Sequence, residues 1–405
     1  MKLWTAQTIS QVGTQVTSLA LPLVAILVLR ASPLQVGLLA AIQLLPFLLV
    51  GLPAGAWVDR MPRRPILMTC DIGSALLLGS IPVAFLAWRL TLTHLFVVAL
   101  LKGILAVFHD VAYQAYLPSL VPPERLLAGN ARLEISRSGA QLTGPGLATG
   151  LIRAVNAPMA IAADAASFVG SALFVLLIKR EEPQAPTGGS RPELKAQIGE
   201  GLRYVLRQEL LLPIAITTAT SNLLLSMSGA VSMVFILREL HVPAGVLGAV
   251  FGMGNIGFVV GALTATRIPR WLGLGRTMCL GAATFGLPLV LVALAPAGHR
   301  AVPFLVVSGF IASFSSVVYS TNQVSLRQAI TPEALQGRMN ATMKFMVIGA
   351  MPIGSLIGGV LGASIGLRPT IWIAAVATSV AFVPLALSPV RSLRAIPIPA
   401  RSSDN

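Results

Sequence analysis

Seven ionisable side chains in the N-terminal half lie inside long apolar stretches of this chain, where a charge is costly unless it has a partner or a function. They are Asp71, Lys102, His109, Asp110, Glu134, Arg137 and Asp164. A carboxylate that is partly removed from water binds a proton more readily, so it can take one up and release it. A neighbouring cation opposes that uptake until a substrate or a conformational change moves it away. These residue types therefore predict reversible proton binding inside an apolar environment.

Asp110, Glu134 and Arg137 are the best candidates for such proton coupling. They lie near the same end of two successive apolar stretches, so the two carboxylates and the guanidinium are expected at a similar depth. A static buried ion pair that joins two helices would show the same residue types. The spacing leaves both interpretations open.

The other four ionisable residues form a secondary set. For Asp71 and Asp164 a structural role is favoured over a role in proton transfer. Lys102 and His109 are seven residues apart and therefore share a helix face. A single interior histidine is more typical of a hydrogen-bonded core position than of a proton relay.

The composition shows what kind of elements must hold these residues. Of the 405 residues, 55 % are hydrophobic and only 11 % are charged. A globular chain of this length cannot bury so much apolar surface, whereas a lipid bilayer accommodates it. The net charge of +15 comes from cations in small groups between apolar stretches. That pattern favours membrane orientation over nucleic-acid binding.

Twelve apolar stretches are long enough to cross a bilayer as helices, at about 20 residues each. They begin near Trp4, Leu34, Pro65, His94, Asn130, Ala157, Leu211, Pro243, Arg276, Val302, Asn340 and Pro369. With the N-terminus inside, the 29 Lys and Arg residues divide into twenty on the inner side, six on the outer side and three within spans. This asymmetry predicts that both termini are cytoplasmic.

The longest break between spans divides the chain into two sets of six. It opens with a linker rich in Pro, Gly and Ser and continues into an amphipathic helix predicted to lie at the inner membrane surface. The predicted division is residues 1–180 for an N-terminal six-helix bundle, 181–209 for the cytoplasmic linker with its amphipathic helix, 210–390 for a C-terminal bundle and 391–405 for a cytoplasmic tail.

The two halves resemble each other at an offset of about 210 residues. "NARLEISRSGAQLTGPGLATG" begins at Asn130 and "NATMKFMVIGAMPIGSLIGGV" begins at Asn340, each after a Pro-Glu pair. Duplicated six-helix halves are typical of transporters, whose substrate site lies between the repeats.

Polar residues at helical spacing indicate which helices face water. The cavity-lining candidates are Gln7, Gln11, Thr14, Asn222, Tyr319 and Gln323. Hydrogen bonding between helices would produce the same polar stripes, so contact with substrate remains one of two interpretations.

Two motifs give this chain a family resemblance. "GAWVDRMPRR", between the second and third spans, contributes Gly55, Asp59, Arg60, Arg63 and Arg64. "GAQLTGPGLATG", in the fifth span, contributes Gly139, Gly144, Pro145, Gly146 and Gly150. The first resembles the inner-loop signature of the major facilitator superfamily and the second its antiporter signature. "FHDVAYQAYLPSLVP" is most similar to the bacterial branch of drug, macrolide and siderophore exporters.

The resemblance implies an all-α membrane protein with twelve transmembrane helices in two pseudo-symmetric six-helix bundles. It implies that Asp59 faces the N-terminal end of helix 11 and latches the inner side closed. It also implies that helices 1, 4, 7 and 10 line the cavity, and that the glycines of the fifth span allow close packing against helix 8.

The leading hypothesis is a proton-coupled exporter of a small apolar or amphipathic compound, acting as a monomer in a bacterial cell membrane. A proton-coupled importer of a metabolite and a non-transporting sensor or scaffold are the alternatives. An enzyme is disfavoured, because the four histidines form no metal or acyl-transfer cluster and there is no nucleotide-binding loop. No cofactor, metal or disulfide is expected, since the two cysteines, Cys70 and Cys279, both lie in apolar spans.

Overall fold

The structure, a computed structural model, describes residues 2–58, 61–120, 123–177 and 194–396. Those residues form α-helices, short 3₁₀ and π-helical turns and connecting loops, with no strand among them. The predicted all-α class is therefore confirmed.

Seven α-helices lie in the described chain up to residue 177. They are α1 Lys2–Leu23, α2 Pro33–Leu49, α3 Gly51–Val58, α4 Arg63–Leu86, α5 Leu92–Leu120, α6 Pro123–Val155 and α7 Ala157–Leu176. A π-helical turn, Val24–Val28, extends α1. The start of α2 is set by a capping box, in which Ser32 and Gln35 each accept a hydrogen bond from the other's backbone N–H.

Eleven further α-helices follow in the described residues from 194 onwards. They are α8 Leu194–Arg207, α9 Leu211–Arg238, α10 Ala244–Gly254, α11 Ile256–Thr264, α12 Ile268–Leu272, α13 Leu274–Ala283, α14 Leu287–Leu294, α15 Ala301–Ile330, α16 Glu333–Ser364, α17 Leu367–Val380 and α18 Val383–Ala386. The α8 helix occupies the position of the predicted amphipathic helix.

Helices occur at all twelve predicted span positions. Within the described residues, ten helical segments are long and apolar enough to cross a membrane. The shorter apolar helix α2 and the more polar helix α6 occupy the other two positions. Large apolar side chains such as Leu76 and Val83 are 70 % and 67 % exposed, so their hydrocarbon surface requires lipid.

The two helices that contain the predicted repeat begin earlier than expected. The α6 helix starts at Pro123 rather than near Asn130, and α16 starts at Glu333 rather than near Asn340. The α6 helix begins at Pro123 itself, and α16 begins directly after Pro332, its N-cap. Proline is tolerated at the start of a helix, where its missing N–H costs nothing. The two helices have 33 and 32 residues. Each contains an internal proline, Pro145 or Pro352, as a duplicated element would.

Residue contacts divide the chain into two compact units, Met1–Arg191 with Ile236–Gly252, and Pro192–Phe235 with Met253–Asn405. In the first unit, α1 packs against α6 and α7, α4 packs against α5 and α7, and α2 packs against α5. In the second unit, α11, α13 and α14 pack against α15, and α8 and α17 pack against α16. The junction of α4, α5 and α7 holds most of the ionisable residues of the secondary set.

Candidate functional site: a charged column in the first unit

Asp71 lies on α4 and is fully buried. Ser171 of α7 donates a hydrogen bond to Oδ2 of Asp71, with an Oγ–Oδ2 distance of 2.7 Å. The other oxygen, Oδ1, lies 3.3 Å from Nε2 of His109 on α5, an ion-pair contact without hydrogen-bond alignment. One carboxylate thus joins three helices of the first unit.

The imidazole of His109 is packed on its other side by Tyr113, one turn further along α5. Their rings are nearly parallel, with centroids 6.2 Å apart and an interplanar angle of 8°. The imidazole is therefore stacked against a ring while its Nε2 atom faces a buried carboxylate. The ring and the carboxylate are thus held against each other inside the first unit.

Lys102 and Asp164 form a second charged layer on the same two helices, α5 and α7. The Lys102 Nζ atom lies 4.4 Å from the centroid of the Phe168 ring, a cation–π contact. Asp164 is fully buried and accepts a hydrogen bond from Ser167, with an Oγ–Oδ1 distance of 3.1 Å. Among the described residues Lys102 makes no ion pair, so the two carboxylates act on it only over a longer distance.

The α1 helix covers this second layer through a glycine. A Cβ atom at Gly13 would collide with the side chains of Ser167 and Asp164. Only a residue without a side chain lets α1 approach α7 at this point. The close approach excludes water from Asp164 and explains why its carboxylate is fully buried.

The two layers are in register along α5 and α7. Lys102 and His109 are seven residues apart, as are Asp164 and Ser171, so the layers are separated by two helical turns, about 10 Å. Together with Asp71 they make up what we call the charged column: Asp71, Lys102, His109, Asp164 and Ser171. The column therefore places two carboxylates, an imidazole and an ammonium group within the same three helices.

The structure describes the preferred proton-coupling candidates less completely than the secondary set. Asp110 lies on α5 beside His109 and is partly buried. Glu134 and Arg137 fall within the helix α6, but their side chains lie outside the described residues. Since α6 begins at Pro123, both residues lie about seven positions deeper in their helix than the span prediction placed them.

The inner-loop motif is only partly described. Asp59 and Arg60 lie outside the described residues, and so does the predicted latch that depends on Asp59. Gly55 lies in α3, and Arg63 and Arg64 form the first turn of α4. Arg64 donates a hydrogen bond from Nη2 to the backbone oxygen of Leu176 at 2.6 Å, which ties the start of α4 to the end of α7.

The antiporter-like motif makes close contacts through different residues than expected. A Cβ atom at Gly144 would overlap the side chain of Gln15 on α1, so this glycine allows the α6–α1 contact. At Gly139, Gly146 and Gly150, an added Cβ would meet no described atom within 4 Å. In this structure Gly146 and Gly150 are exposed, so close packing through these two glycines stays a prediction.

The close contact with α6 is made by a glycine of α10 instead. A Cβ atom at Gly248 of α10 would collide with the backbone oxygen of Pro145 and the side chain of Thr149 on α6. Similarly, a Cβ at Gly245 would overlap the side chain of Arg153. The expected contact between the fifth and eighth membrane helices is thus present within the first unit. Pro145 takes part in this contact through its backbone oxygen, which lies close to Gly248 of α10.

Three cavity-lining candidates cluster in the second unit. Tyr319 and Gln323 are buried on α15, and Asn222 is partly buried on α9. The hydroxyl groups of Tyr319 and Thr218 lie 2.8 Å apart, and Asn222 donates to the backbone oxygen of Thr218. Tyr319 therefore ties α15 to α9. In the first unit, Gln7 and Gln11 are partly buried on α1, whereas Thr14 is exposed.

Two residues of interest were missed by the sequence predictions. Ser171 donates a hydrogen bond to Asp71. Because it lies seven residues from Asp164, the sequence alone could have placed both residues on one face of the same helix. Arg327 was assigned to an inner loop, but it is buried in the last turn of α15. Its spacing of four from Gln323 places both on one face of that helix.

Comparisons with known proteins agree with this architecture. A family model described as the Major Facilitator Superfamily matches residues 3–298 and 223–402. The multidrug efflux pump Tap of Mycolicibacterium fortuitum is 27 % identical over 365 residues, covering 88 % of this chain and 88 % of that protein. The enterobactin exporter EntS of Citrobacter koseri is 29 % identical over 372 residues, covering 88 % of this chain and 84 % of that protein.

Solved structures share the fold. A mutant of the nucleoside transporter NupG superimposes with a TM-score of 0.77 at 12 % identity, covering 95 % of this chain and 98 % of that chain. A bacterial homologue of the iron transporter ferroportin in an inward-facing state gives a TM-score of 0.75 at 19 % identity, covering 95 % and 97 %. At these identities the likeness concerns the fold alone.

Proposed function

Because the chain belongs to the Major Facilitator Superfamily, a family of membrane transporters, we propose that it exports a small apolar or amphipathic compound in exchange for protons. Ten described helical segments long and apolar enough to cross a bilayer make it a multi-pass membrane protein. Export, proton coupling and cargo class are the parts of this proposal that go beyond family membership.

Two relatives support export as the direction. The multidrug efflux pump Tap and the enterobactin exporter EntS each match most of this chain. The packing of Gly248 against Pro145 gives further support, since it uses the motif that resembles the antiporter signature. Both relatives move compounds that are small compared with a protein, which fits a cargo of that size.

Proton coupling rests on one observation, the fully buried Asp71 beside His109. A carboxylate in a region without water is unfavourable when charged unless it is paired, so proton uptake there changes the local energy strongly. Asp71 also links α4 to α5 and α7. Binding of one proton alters the net charge of the charged column, and with it the attraction between these three helices.

The dependence of helix packing on the charge of the column provides a mechanism for exchanging a proton for the transported compound. A proton on the Asp71–His109 pair weakens the attraction between Asp71 and Lys102, so the helices can repack. Loss of the proton restores the attraction and the original packing. Asp110, Glu134 and Arg137 remain proposed partners in proton transfer, with Asp110 next to His109 on α5 as the group that passes the proton on.

Transport measurements in proteoliposomes test the proposal directly. A pH gradient is imposed, and the movement of ethidium and of erythromycin is followed together with the accompanying proton flux. Wild type is compared with Asp71→Asn, His109→Gln, Asp110→Asn and Glu134→Gln. Glu200→Gln is the control, because Glu200 is an exposed carboxylate on α8 outside the membrane spans.

We expect gradient-driven movement of at least one compound in wild type and in Glu200→Gln. Asp71→Asn should lose gradient-driven movement by about 100-fold while still allowing slow downhill flux, because the fixed neutral side chain mimics one protonation state. Full coupling in all four membrane variants would refute the site assignment. Movement only in the direction of proton entry would favour an importer, and absence of any flux would favour a sensor or scaffold.

A further inference from the structure

Arg327 is a buried cation in the second unit. It lies in the last turn of α15, and the whole residue is only 9 % exposed. Two other polar residues, Gln323 and Tyr319, precede it at intervals of four and eight residues and are also buried. These three side chains therefore follow one face of α15.

Among the described residues, no carboxylate lies within ion-pair distance of this guanidinium. Its Nε atom is buried and has no hydrogen-bond partner, and among the described residues no ion pair involves Arg327. The Tyr319 hydroxyl is already engaged with Thr218. On the next turn of the same face, the Oε1 atom of Gln323 is likewise buried without a hydrogen-bond partner.

An unpaired buried charge of this kind is strongly unfavourable, and proteins normally pair such groups. The C-terminal end of a helix attracts a cation, which accounts for part of the placement. That attraction is not completed here, because the Nε atom makes no hydrogen bond to a terminal carbonyl of α15. The Nε donor therefore has no partner among the described residues.

We propose that Arg327 binds a compact anionic group, a carboxylate or a phosphate, and that this group belongs to the transported compound. This inference rests on the proposed function, because it makes the cargo an acidic amphiphile. Arginine suits the task, since its planar donors match the two oxygens of such an anion. Gln323 accepts a hydrogen bond through Oε1 from a hydroxyl or amide group of the same ligand.

The test compares two fluorescent probes that differ only in charge. Pyrenebutanoate carries a carboxylate, and pyrenebutanol has the same ring system and chain length without it. Binding to the purified protein in neutral detergent is measured through energy transfer from tryptophan to pyrene, with no pH gradient. Wild type should bind pyrenebutanoate at least about tenfold more tightly than pyrenebutanol, as expected for a charge-assisted hydrogen bond.

Three variants make the result specific to Arg327. Arg327→Gln should abolish the preference for the anion, and Arg327→Lys should keep part of it because the charge remains. Arg276→Gln is the matched control, since it removes an exposed positive charge from α13 in the same unit and should leave the preference unchanged. An undiminished preference in Arg327→Gln, or equal binding of the two probes to wild type, would overturn the proposal.

A phospholipid headgroup could supply the same anionic chemistry. The titration is therefore repeated with phosphatidylglycerol added to the micelles. Competition with pyrenebutanoate that disappears in Arg327→Gln would identify a lipid as the occupant and would overturn the assignment of the anion to the transported compound. Because binding is read at equilibrium, it stands apart from the transport assay. A charge preference without gradient-driven flux would contradict the proposed exporter but support the anion site.

Discussion

The carboxylate of Asp71 on α4 lies 3.3 Å from the imidazole of His109 on α5, and Ser171 of α7 holds its other oxygen at 2.7 Å. Three helices of one unit therefore meet at a single titratable pair. Each helix supplies one polar side chain, so none of the three could satisfy the carboxylate alone. This arrangement ties the packing of three helices to one buried carboxylate.

Removing the hydroxyl of Ser171 tests how much that contact contributes. Ser171→Ala leaves Oδ2 of Asp71 buried without its donor, which should lower stability by about 1–3 kcal/mol. Thermal unfolding in detergent should show a lower midpoint than wild type. Ser18→Ala is the control, because Ser18 is exposed on α1 and bonds only within its own helix. Equal midpoints for the two variants would mean that Ser171 does not support Asp71.

The second layer of the charged column should behave as a coupled pair. Asp164 is buried, whereas Lys102 is partly exposed. Lys102→Met or Asp164→Asn alone should lower stability, with an interaction energy of about 0.5–3 kcal/mol between the two positions. The double variant should recover a large part of that loss, because both charges are then gone. Additive losses in thermal unfolding would contradict the pairing.

An exposed pair provides the reference for that cycle. Arg338 of α16 and Glu200 of α8 also form an ion pair, but both side chains are substantially exposed to solvent. Arg338→Met, Glu200→Gln and their combination should each change stability by less than about 1 kcal/mol. The contrast separates the effect of burial from the effect of removing any charge.

Replacing glycine by alanine should have opposite effects at two positions of α10. Gly248→Ala places a methyl group against the backbone oxygen of Pro145, which cannot move without shifting α6. The variant should therefore lose stability and transport. Gly252→Ala meets no described atom within 4 Å, and it should be neutral or stabilising by up to about 1 kcal/mol, since alanine favours helix formation. Similar melting temperatures would show that the α6–α10 contact is not tight.

The distribution of positive charges predicts the orientation of the chain. A cysteine at Arg89, after α4, should react with a membrane-impermeant maleimide added outside intact cells. A cysteine at Arg391, near the C-terminus, should react only after the membrane is opened. Cys70 and Cys279 are first replaced by alanine. The reverse labelling pattern would place the termini outside.

Much of this fold could be predicted from the chain because lipid imposes a simple rule. Every spanning helix must be long and apolar, so twelve such stretches can be recognised from the sequence alone. The positions at which α6 and α16 repeat the same features can be recognised in the same way. The ionisable residues were identified for the same reason, since Asp71, Lys102 and Asp164 stand out against an apolar background. Helix starts were less certain, because proline and charged residues such as those around Pro123 also fit a loop.

What only the tertiary structure decided is which of those residues meet. Helical spacing placed Lys102 and His109 on one face of α5, but it could not show that Asp71 and Ser171 lie opposite them. Contacts between helices depend on rotation and depth, and these are set by small-residue contacts such as Gly13 against Ser167 and Gly248 against Pro145. The same reason explains Arg327. In the sequence it looks like a cytoplasmic anchor, whereas in the structure it is buried and makes no ion pair with the described residues.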